Sequence, residues 1–264
     1  MYFCSGIVNS DPMKANIDKY FISANAVDDI PESHYQKLEP VLQTIEAFTR
    51  NTNKVVYVVD YLKKNFLYAS DNIEELCGIT KEEMVEMGYL FHFQYVPRKE
   101  QQMLLELNKA GFEFYENLPK NERDGYSISY DFHVMKGDKV TMIHHDLTYL
   151  VTTRKGRIRL ALCTMSPSSS MTPGNIIMRK EGCRTIHEYN LETHEWIERK
   201  LPKINATEKT ILTRLMQGYT MEQISNNEGV SLNTLKASKR LLFQKLNVNN
   251  ISQAIAYCMN YKLL

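Results

Sequence analysis

The sequence has no long apolar segment. No apolar run among its 264 residues approaches the roughly 18–20 residues that a membrane-spanning helix needs. The opening stretch Met1–Val8 has no basic flank and too few apolar residues for a secretory signal peptide. We therefore expect a cytoplasmic protein without a membrane partner. Met13, where a plausible helical pattern begins, is an alternative start to Met1.

Cysteine is scarce and is not arranged for metal binding or disulfide pairing. The five cysteines are odd in number and lie far apart, at Cys4, Cys77, Cys163, Cys183 and Cys258. No two of them show the CxxC or metal-ligand spacing of a zinc or redox site. Reduced thiols are therefore expected, and no metal site is predicted.

Recognisable catalytic motifs are also missing. No Ser-His-Asp arrangement, pair of carboxylates or phosphate-binding loop stands out, so an enzyme is not predicted. Cys77 lacks the sequence context of a flavin photosensor, and the helix predicted after Pro97 has no histidine for a haem. His144 and His145 point to opposite faces of a predicted strand and cannot share a metal. The cofactor is therefore unknown, and structural or surface roles are favoured for these two and for the other candidates, His92, His133, His187 and His194.

Positive charge is concentrated at the carboxyl-terminal end. Residues 203–264 contain eight Lys or Arg against three Glu, a balance of +5. The whole chain carries +1, so the remainder carries −4. A basic end on an acidic body is typical of a phosphate-binding module attached to a domain that does not bind DNA.

The same end shows the pattern of four short helices. The first begins at Asn205, Ala206 or Thr207, Thr220 and Ser231 cap the next two, and Gly218 and Gly229 mark turns between them. The third predicted helix, residues 232–246, separates apolar from basic residues. Leu235, Leu242 and Leu246 are expected to point inward, while Lys236, Lys239 and Arg240 are expected on the opposite side with the small Ala237.

Residues 204–257 resemble the LuxR-type (GerE-type) helix-turn-helix family. The family's segments occur in order and with its spacing at Ile204–Glu208, Ile211–Leu212, Gly218, Glu222–Ser225, Ser231–Lys236 and Lys245–Leu246. The chain departs from the family at Thr207, Ser238 and Asn247, where Arg, His and Gly are usual. The resemblance implies that Lys236, Ala237 and Arg240 face the base edges of double-stranded DNA and that Thr234 and Lys239 hold backbone phosphates.

The fourth predicted helix, residues 251–263, resembles the helix through which two copies often pair in this family. Ile251, Ile255 and Met259 fall on one of its faces, which suits a homodimer. Packing of that face within the monomer is the alternative, and the sequence leaves both open.

The middle of the chain resembles a PAS domain over residues 45–166. Two strands at residues 55–59 and 66–68 are followed by short helices, a longer helix at Arg98–Ala110 that Gly111 is expected to end, and three antiparallel strands. The segment Tyr68–Glu83 is similar to a characteristic run of that family. We expect an α+β fold, in which a five-stranded PAS-like sheet with helices is followed by an all-α helix-turn-helix domain.

A composition break at Ser166–Gly174 marks the edge of the predicted sensor. Three short strands follow it and suggest a β-extension that packs on the sensor. The predicted division is a helical segment at 1–44, a PAS-like sensor at 45–168, a β-hairpin extension at 169–200 and a DNA-binding domain at 201–264.

These observations predict a sequence-specific, dimeric transcription regulator whose PAS-like domain senses a small molecule or a partner. The alternative is a DNA-binding regulator whose PAS-like domain is only a protein-interaction or dimerisation platform. The aromatic residues of the sensor are expected to form its core, and some of them could line a small pocket.

Overall fold

The computed structural model describes residues 20, 35, 38–123, 125–153 and 156–264. Predictions that concern Met13, Cys4 and most of residues 1–44 lie outside the described residues. The described residues fall into two compact units, divided between Glu198 and Arg199. In the first unit the helices and strands follow one another as α1 Glu39–Thr49, β1 Val55–Asp60, β2 Asn65–Ala69, α2 Ile73–Cys77, α3 Lys81–Met87, α4 Leu90–Tyr95, α5 Arg98–Asn117, β3 Tyr126–Lys136, β4 Lys139–Thr152, β5 Ile158–Pro167, β6 Gly174–Lys180, β7 Thr185–Asn190 and β8 Glu195–Lys200.

A single antiparallel sheet organises the first unit. Its strand order is β2-β1-β5-β4-β3-β6-β7-β8. The first five strands have the arrangement expected of a PAS-like domain, so the predicted α+β fold is confirmed. Strands β6 to β8 extend the same sheet, because β6 pairs with β3 through partners such as Ile128 and Met178. The β-extension is therefore continuous with the sensor sheet.

Strand β1 is buried on both faces. Val55, Tyr57 and Val59 point into the main core, whereas Val56 and Val58 join a second cluster on the opposite face of the sheet. Helix α1 covers that face through residues such as Leu38 and Ile45. Successive side chains of a strand point to opposite faces of the sheet, so all of them are buried when both faces are covered. Phe48, near the end of this helix, is 60% exposed and does not take part.

Helix α5 is longer than the sequence predicts. We expected Gly111 to end it, but the helix continues to Asn117. Gly111 lies inside the helix against strand β3, where a Cβ would stand 3.3 Å from the Ile128 side chain. Glycine here permits close packing of the helix on the sheet, and the tertiary contact outweighs its weak helix propensity.

The second unit consists of four helices with regular caps. They are α6 Ala206–Met216, α7 Met221–Glu228, α8 Leu232–Leu246 and α9 Ile251–Asn260. Asn205 and Thr220 form capping boxes with Glu208 and Gln223, and the Ser231 hydroxyl accepts a hydrogen bond from the backbone N–H of Thr234. Each cap satisfies amides at a helix start that no other helical residue can reach, so the start of each helix is encoded locally.

Candidate nucleic-acid interface and sensor cavity

Helix α8 is held in the second unit by one buried side. Leu235, Leu242 and Leu246 are almost completely buried, and Leu242 and Leu246 pack with Ala254 and Cys258 of α9. Burial of each leucine contributes about 2 kcal/mol, which fixes the rotation of the helix about its axis. The predicted inward positions are thus observed, and the side of α8 opposite to them is exposed.

The five residues proposed to contact DNA lie on or beside the outward side of α8. Thr234, Lys236, Ala237 and Arg240 are exposed, while Lys239 is half-buried. The Lys239 ammonium lies 5.6 Å from the centre of the Phe243 ring, so this lysine sits on the flank of the helix. The Thr234 hydroxyl lies 2.8 Å from the Ser231 hydroxyl and is therefore part of the helix cap.

A concavity of about 530 Å³ runs along the same flank of α8. Three of the predicted contact residues line it, together with six that sequence reasoning missed. Its lining consists of Met221, Lys236, Lys239, Arg240, Phe243, Gln244, Asn247, Val248 and Asn249. We call these nine residues the α8 concavity. One signal in the sequence pointed to it, since Asn247 stands where the LuxR-type family usually has glycine.

A cavity lies inside the first unit between helix α5 and the sheet. It offers about 60 Å³ to the centres of water-sized molecules, several times what one water needs. Its walls are mainly aromatic and aliphatic, and its polar groups are phenols, imidazoles, one amide and one thiol. The lining residues are Tyr20, Tyr57, Val59, Tyr61, Phe66, Tyr89, His92, Leu104, Leu107, Asn108, Gly111, Phe112, Ile128, Tyr130, His145, Leu147, Tyr149 and Cys163.

The cavity has no charged side chain at neutral pH. Burial lowers the pKa of His92 to about 4 and that of His145 to about 3, so both imidazoles are neutral. Burial also raises the pKa of the Cys163 thiol, which keeps it protonated. A charged ligand would enter without a counter-charge, so the cavity favours an uncharged molecule.

Two imidazole nitrogens of the cavity are available for a ligand. Nε2 of His145 lies 2.7 Å from the Tyr57 hydroxyl, whereas its Nδ1 is buried without a hydrogen-bond partner. Nδ1 of His92 is also buried without a hydrogen-bond partner. A buried polar atom without a partner costs about 1–3 kcal/mol, which a ligand or water could recover.

His144 and His145 point to opposite faces of the sheet, as the sequence predicts. Nδ1 of His144 lies 2.9 Å from the Asp131 carboxylate, on the face away from the cavity. Burial disfavours its charge, but hydrogen bonds to Asp131 and Asp146 prevail and raise its pKa to about 9. His144 is therefore a structural cation, and among the described residues no group of three or more His, Cys, Asp or Glu side chains is arranged to hold a metal ion.

The opposite side of helix α5 contacts the β7–β8 hairpin. The Glu106 carboxylate accepts a hydrogen bond of 2.9 Å from the Tyr189 hydroxyl and lies 2.6 Å from Nδ1 of His194. The Trp196 indole N–H donates to the Ala110 carbonyl at 3.4 Å, and its ring centre lies 5.1 Å from that of Phe114. One helix therefore separates the cavity from the hairpin and touches both.

The remaining histidines have structural surroundings. Nδ1 of His133 lies 2.8 Å from the Glu100 carboxylate, which also accepts the His133 backbone N–H at 2.6 Å. His187 packs against Phe114 with ring centres 4.9 Å apart. Neither residue lines the sensor cavity.

Among the described residues, no helix is long and apolar enough to cross a membrane.

Comparison with known proteins identifies the second unit. The sequence profile of the family "Bacterial regulatory proteins, luxR family" matches residues 204–258. None of the curated proteins matches the chain. Helices α6 to α9 thus form a LuxR-type helix-turn-helix domain, in which α7 and α8 are the helix-turn-helix pair.

Several solved structures resemble the chain. Phage VqmA in complex with DPO is 14% identical, with 86% of this chain and 90% of that chain covered and a TM-score of 0.28. The Vibrio cholerae VqmA dimer in the absence of target DNA is 18% identical, with 84% and 88% covered and a TM-score of 0.30. The PAS domain of a Colwellia psychrerythraea protein is 17% identical, with 49% and 97% covered and a TM-score of 0.36. With all three TM-scores below 0.5, the assignment of the fold rests on the strand order and on the LuxR-type match.

The class of protein follows from these two findings. The chain contains a LuxR-type helix-turn-helix domain, and a PAS-like domain lies on its amino-terminal side. Its LuxR-type domain occupies residues 204–258, and the eight-stranded sheet with its internal cavity precedes it.

Proposed function

We propose that this protein is a one-component transcription regulator that binds DNA through α8 as a homodimer and responds to a small molecule in its sensor cavity. The observation that carries the proposal is the combination of a LuxR-type domain with an uncharged, largely apolar cavity in the other unit. The proposed division keeps the sensor at 45–168, the extension at 169–200 and the DNA-binding domain at 201–264.

The contact residues have distinct roles in this proposal. Lys236 and Arg240 are exposed near the middle of α8 and donate to base edges, while Ala237 between them lets the helix backbone approach. Thr234 and Lys239 stand on the flanks of that side and contact phosphates. The guanidinium of Arg240 suits the bidentate recognition of guanine.

DNA binding is tested by changing the two central cations together. The double variant Lys236→Ala/Arg240→Ala should lose at least about tenfold in affinity for duplex DNA, since each removed contact is worth about 1–3 kcal/mol. Lys209→Ala is the matched control, because Lys209 is an exposed lysine on α6 of the same unit. Fluorescence anisotropy with a labelled duplex measures both variants. Equal affinity of the double variant and the unchanged protein would refute the proposal.

The ligand that we propose for the sensor is small, uncharged and aromatic or heteroaromatic. The aromatic walls supply ring contacts, and the His145 and Asn108 side chains can hydrogen-bond to a polar substituent. Occupancy would change the packing of α5 against the β7–β8 hairpin. The chain runs from this hairpin directly into the DNA-binding domain, so the change would reach the spacing of two α8 helices in a dimer.

Native mass spectrometry tests whether the cavity holds a ligand. The purified protein should carry an additional mass of a small molecule, which organic extraction releases. Leu147→Phe should reduce that occupancy, because Leu147 lines the cavity and the larger ring fills part of it. If the unchanged protein carries no additional mass, the alternative in which the sensor is only an interaction platform is favoured.

The dimer is proposed to form through α9. Ala254 and Cys258 of this helix are fully buried in the core of the unit, whereas Met259 is 57% exposed. Met259→Glu should therefore weaken the dimer without removing a core residue, and sedimentation equilibrium measures the change. Ser252→Glu, at an exposed position of the same helix, is the control. An unchanged monomer–dimer equilibrium in Met259→Glu would place the interface elsewhere.

A further inference from the structure

The α8 concavity contains more than lysine and arginine. Three amide side chains, Gln244, Asn247 and Asn249, line its end nearest the carboxyl terminus of the helix. The side chains of these three residues make no hydrogen bond to any described residue. Three exposed or half-exposed amides therefore converge on one basic concavity, and their N–H groups are available as donors.

Asn247 is the most informative of the three. Its backbone is left-handed, with φ of 53°, and its N–H closes the end of α8 on the carbonyls of Phe243 and Gln244. Glycine serves this backbone position without strain, and the LuxR-type family usually has glycine here. The backbone therefore does not require a side chain at residue 247, and the amide is free to serve another purpose.

The two flanks of α8 differ in chemistry. One flank carries the concavity with its cations and amides, over a length of roughly 16 Å from Lys236 to Asn247. The other carries Leu241, which is 56% exposed and offers no hydrogen-bond donor. Where a helix lies in the major groove, a sugar-phosphate backbone runs along each flank. The first flank has cations and amides for phosphodiesters, whereas the other has the Thr234 hydroxyl, which also belongs to the helix cap, and Lys245, which is paired with Glu208.

The end of the helix by itself disfavours an anion. The carboxyl-terminal end of α8 carries partial negative charge, so a phosphate there needs donors directed outward. The carbonyls of Phe243 and Gln244 are already occupied by the N–H groups of Val248 and Asn247. The amide side chains supply the donors, and Lys239 supplies the charge.

We propose that one DNA strand follows the α8 concavity and that the side-chain amide of Asn247, supported by Gln244 and Asn249, donates a hydrogen bond to a backbone phosphate. This inference rests on the proposed DNA-binding function. We call this phosphate contact of Asn247, supported by Gln244 and Asn249, the clasp. It is made by uncharged amides at the end of α8 and adds to the contacts of the basic residues.

Asn247→Gly tests the clasp, because it removes the amide and keeps the left-handed backbone. The probe is a fluorescein-labelled 30-base-pair duplex of mixed sequence, since a phosphate contact does not depend on the bases. We expect Asn247→Gly in the full chain to weaken binding by roughly threefold to tenfold, as for the loss of one ordinary, solvent-exposed hydrogen bond. Because the amide is uncharged, the slope of log K against log salt should not change.

Two further variants separate the clasp from other effects. Lys239→Ala should weaken binding and also reduce the salt slope by about 0.9, because one counterion fewer is released. Asn247→Asp keeps the shape of the side chain but repels phosphate, so it should bind more weakly than Asn247→Gly. Asn260→Ala, an exposed asparagine on α9, is the control and should bind like the unchanged protein.

The outcomes are distinguishable. If the unchanged protein binds the duplex and Asn247→Gly binds equally well, the clasp is refuted and the proposed function stands. If Asn247→Gly changes the salt slope as Lys239→Ala does, the amide acts indirectly and the clasp is also refuted. If the unchanged protein does not bind duplex DNA, the proposed function fails and the clasp fails with it.

Discussion

At the scale of single residues, the buried histidines of the sensor are the most consequential. His92 and His145 are held neutral by burial, although histidine in an unfolded chain titrates near pH 6.5. The folded sensor therefore excludes protons that the unfolded chain binds. His144, only one residue from His145 in the sequence, has its pKa raised by two carboxylates on the other side of the sheet.

The stability of the sensor should consequently depend on pH in a defined way. Both cavity histidines have lowered pKa values, so the free energy of unfolding falls as pH drops from about 6.5 towards 4. Each histidine contributes up to about 1.4 kcal/mol per pH unit to this fall. His144 has a raised pKa, so its contribution is present below pH 6.5 and is lost as pH rises through about 9. Urea unfolding between pH 4.5 and 9.5 measures both limits.

His92→Phe provides the control for the acid limit. Four aromatic residues lie around His92 with ring centres 5.5–6.1 Å away: Tyr20, Phe66, Tyr89 and Phe91. A phenyl ring suits this environment and removes one titrating group. The variant should show about half the acid slope of the unchanged protein. An unreduced slope would mean that other groups control the acid limit.

At the scale of elements, helix α5 joins the cavity to the β7–β8 hairpin. Leu107 and Gly111 line the cavity, while Glu106 and Ala110 contact the hairpin from neighbouring positions on the helix. A displacement of α5 by a ligand must therefore change the contacts on its other side. The hairpin contains Trp196, the one tryptophan of the sequence. Tryptophan fluorescence therefore reports on the surroundings of this side chain in the hairpin.

Glu106→Gln should loosen the hairpin. The amide cannot replace the carboxylate that both Tyr189 and His194 approach, and about 1 kcal/mol of local stability should be lost. We expect the Trp196 emission to shift to longer wavelength and acrylamide quenching to increase. Glu82→Gln is the control, because Glu82 is an exposed glutamate on α3, which packs on β2 at the other edge of the sheet. Identical spectra for the two variants would contradict the proposed role of Glu106.

The elements also show where sequence reasoning succeeds and where it fails. Helix α8 was predicted with its observed bounds, because Ser231 and the spacing of its leucines are local signals. Helix α5 was predicted to end at Gly111, since the packing that keeps this glycine helical comes from Ile128 on a distant strand. The addition of β6 to the edge of β3 is likewise nonlocal and leaves no pattern in either segment.

The candidate sites follow the same division. The residues predicted to face DNA lie within two turns of one helix, where the resemblance to the LuxR-type family places them, and their role stays a prediction. The sensor cavity is lined by residues from strands that are far apart in the sequence. Tyr57 on β1 and His145 on β4, for example, are 88 positions apart. Its aromatic residues could be predicted as core, but no spacing in the sequence could identify which of them enclose free space.

At the scale of the whole molecule, the unequal distribution of charge has a measurable consequence. The DNA-binding end carries +5 and the remainder −4, counted over residues 203–264 and 1–202. The acidic remainder has no attraction for DNA phosphates, so binding should depend on a few local cations. Long-range charge then aids the encounter mainly at low ionic strength.

The salt dependence of binding should count these cations. If Lys236, Lys239 and Arg240 each displace one counterion, the slope of log K against log salt is about −2.7 per chain and about −5 for two bound chains. Anisotropy titrations between 50 and 300 mM KCl, run with the 30-base-pair duplex, provide the slope. A slope near zero would show that phosphate contacts contribute little, and a slope near −10 would require cations outside α8.

The extended sheet ends at β8, and this has a consequence for handling the protein. Among the described residues, β8 has no neighbour on its outer side, so it presents an open backbone edge. Four of its six residues are charged: Glu195, Glu198, Arg199 and Lys200. Charged side chains along an edge oppose the addition of a further strand. Substitutions that neutralise this strand should therefore promote fibrillar self-association long before they disturb the sensor or the DNA-binding domain.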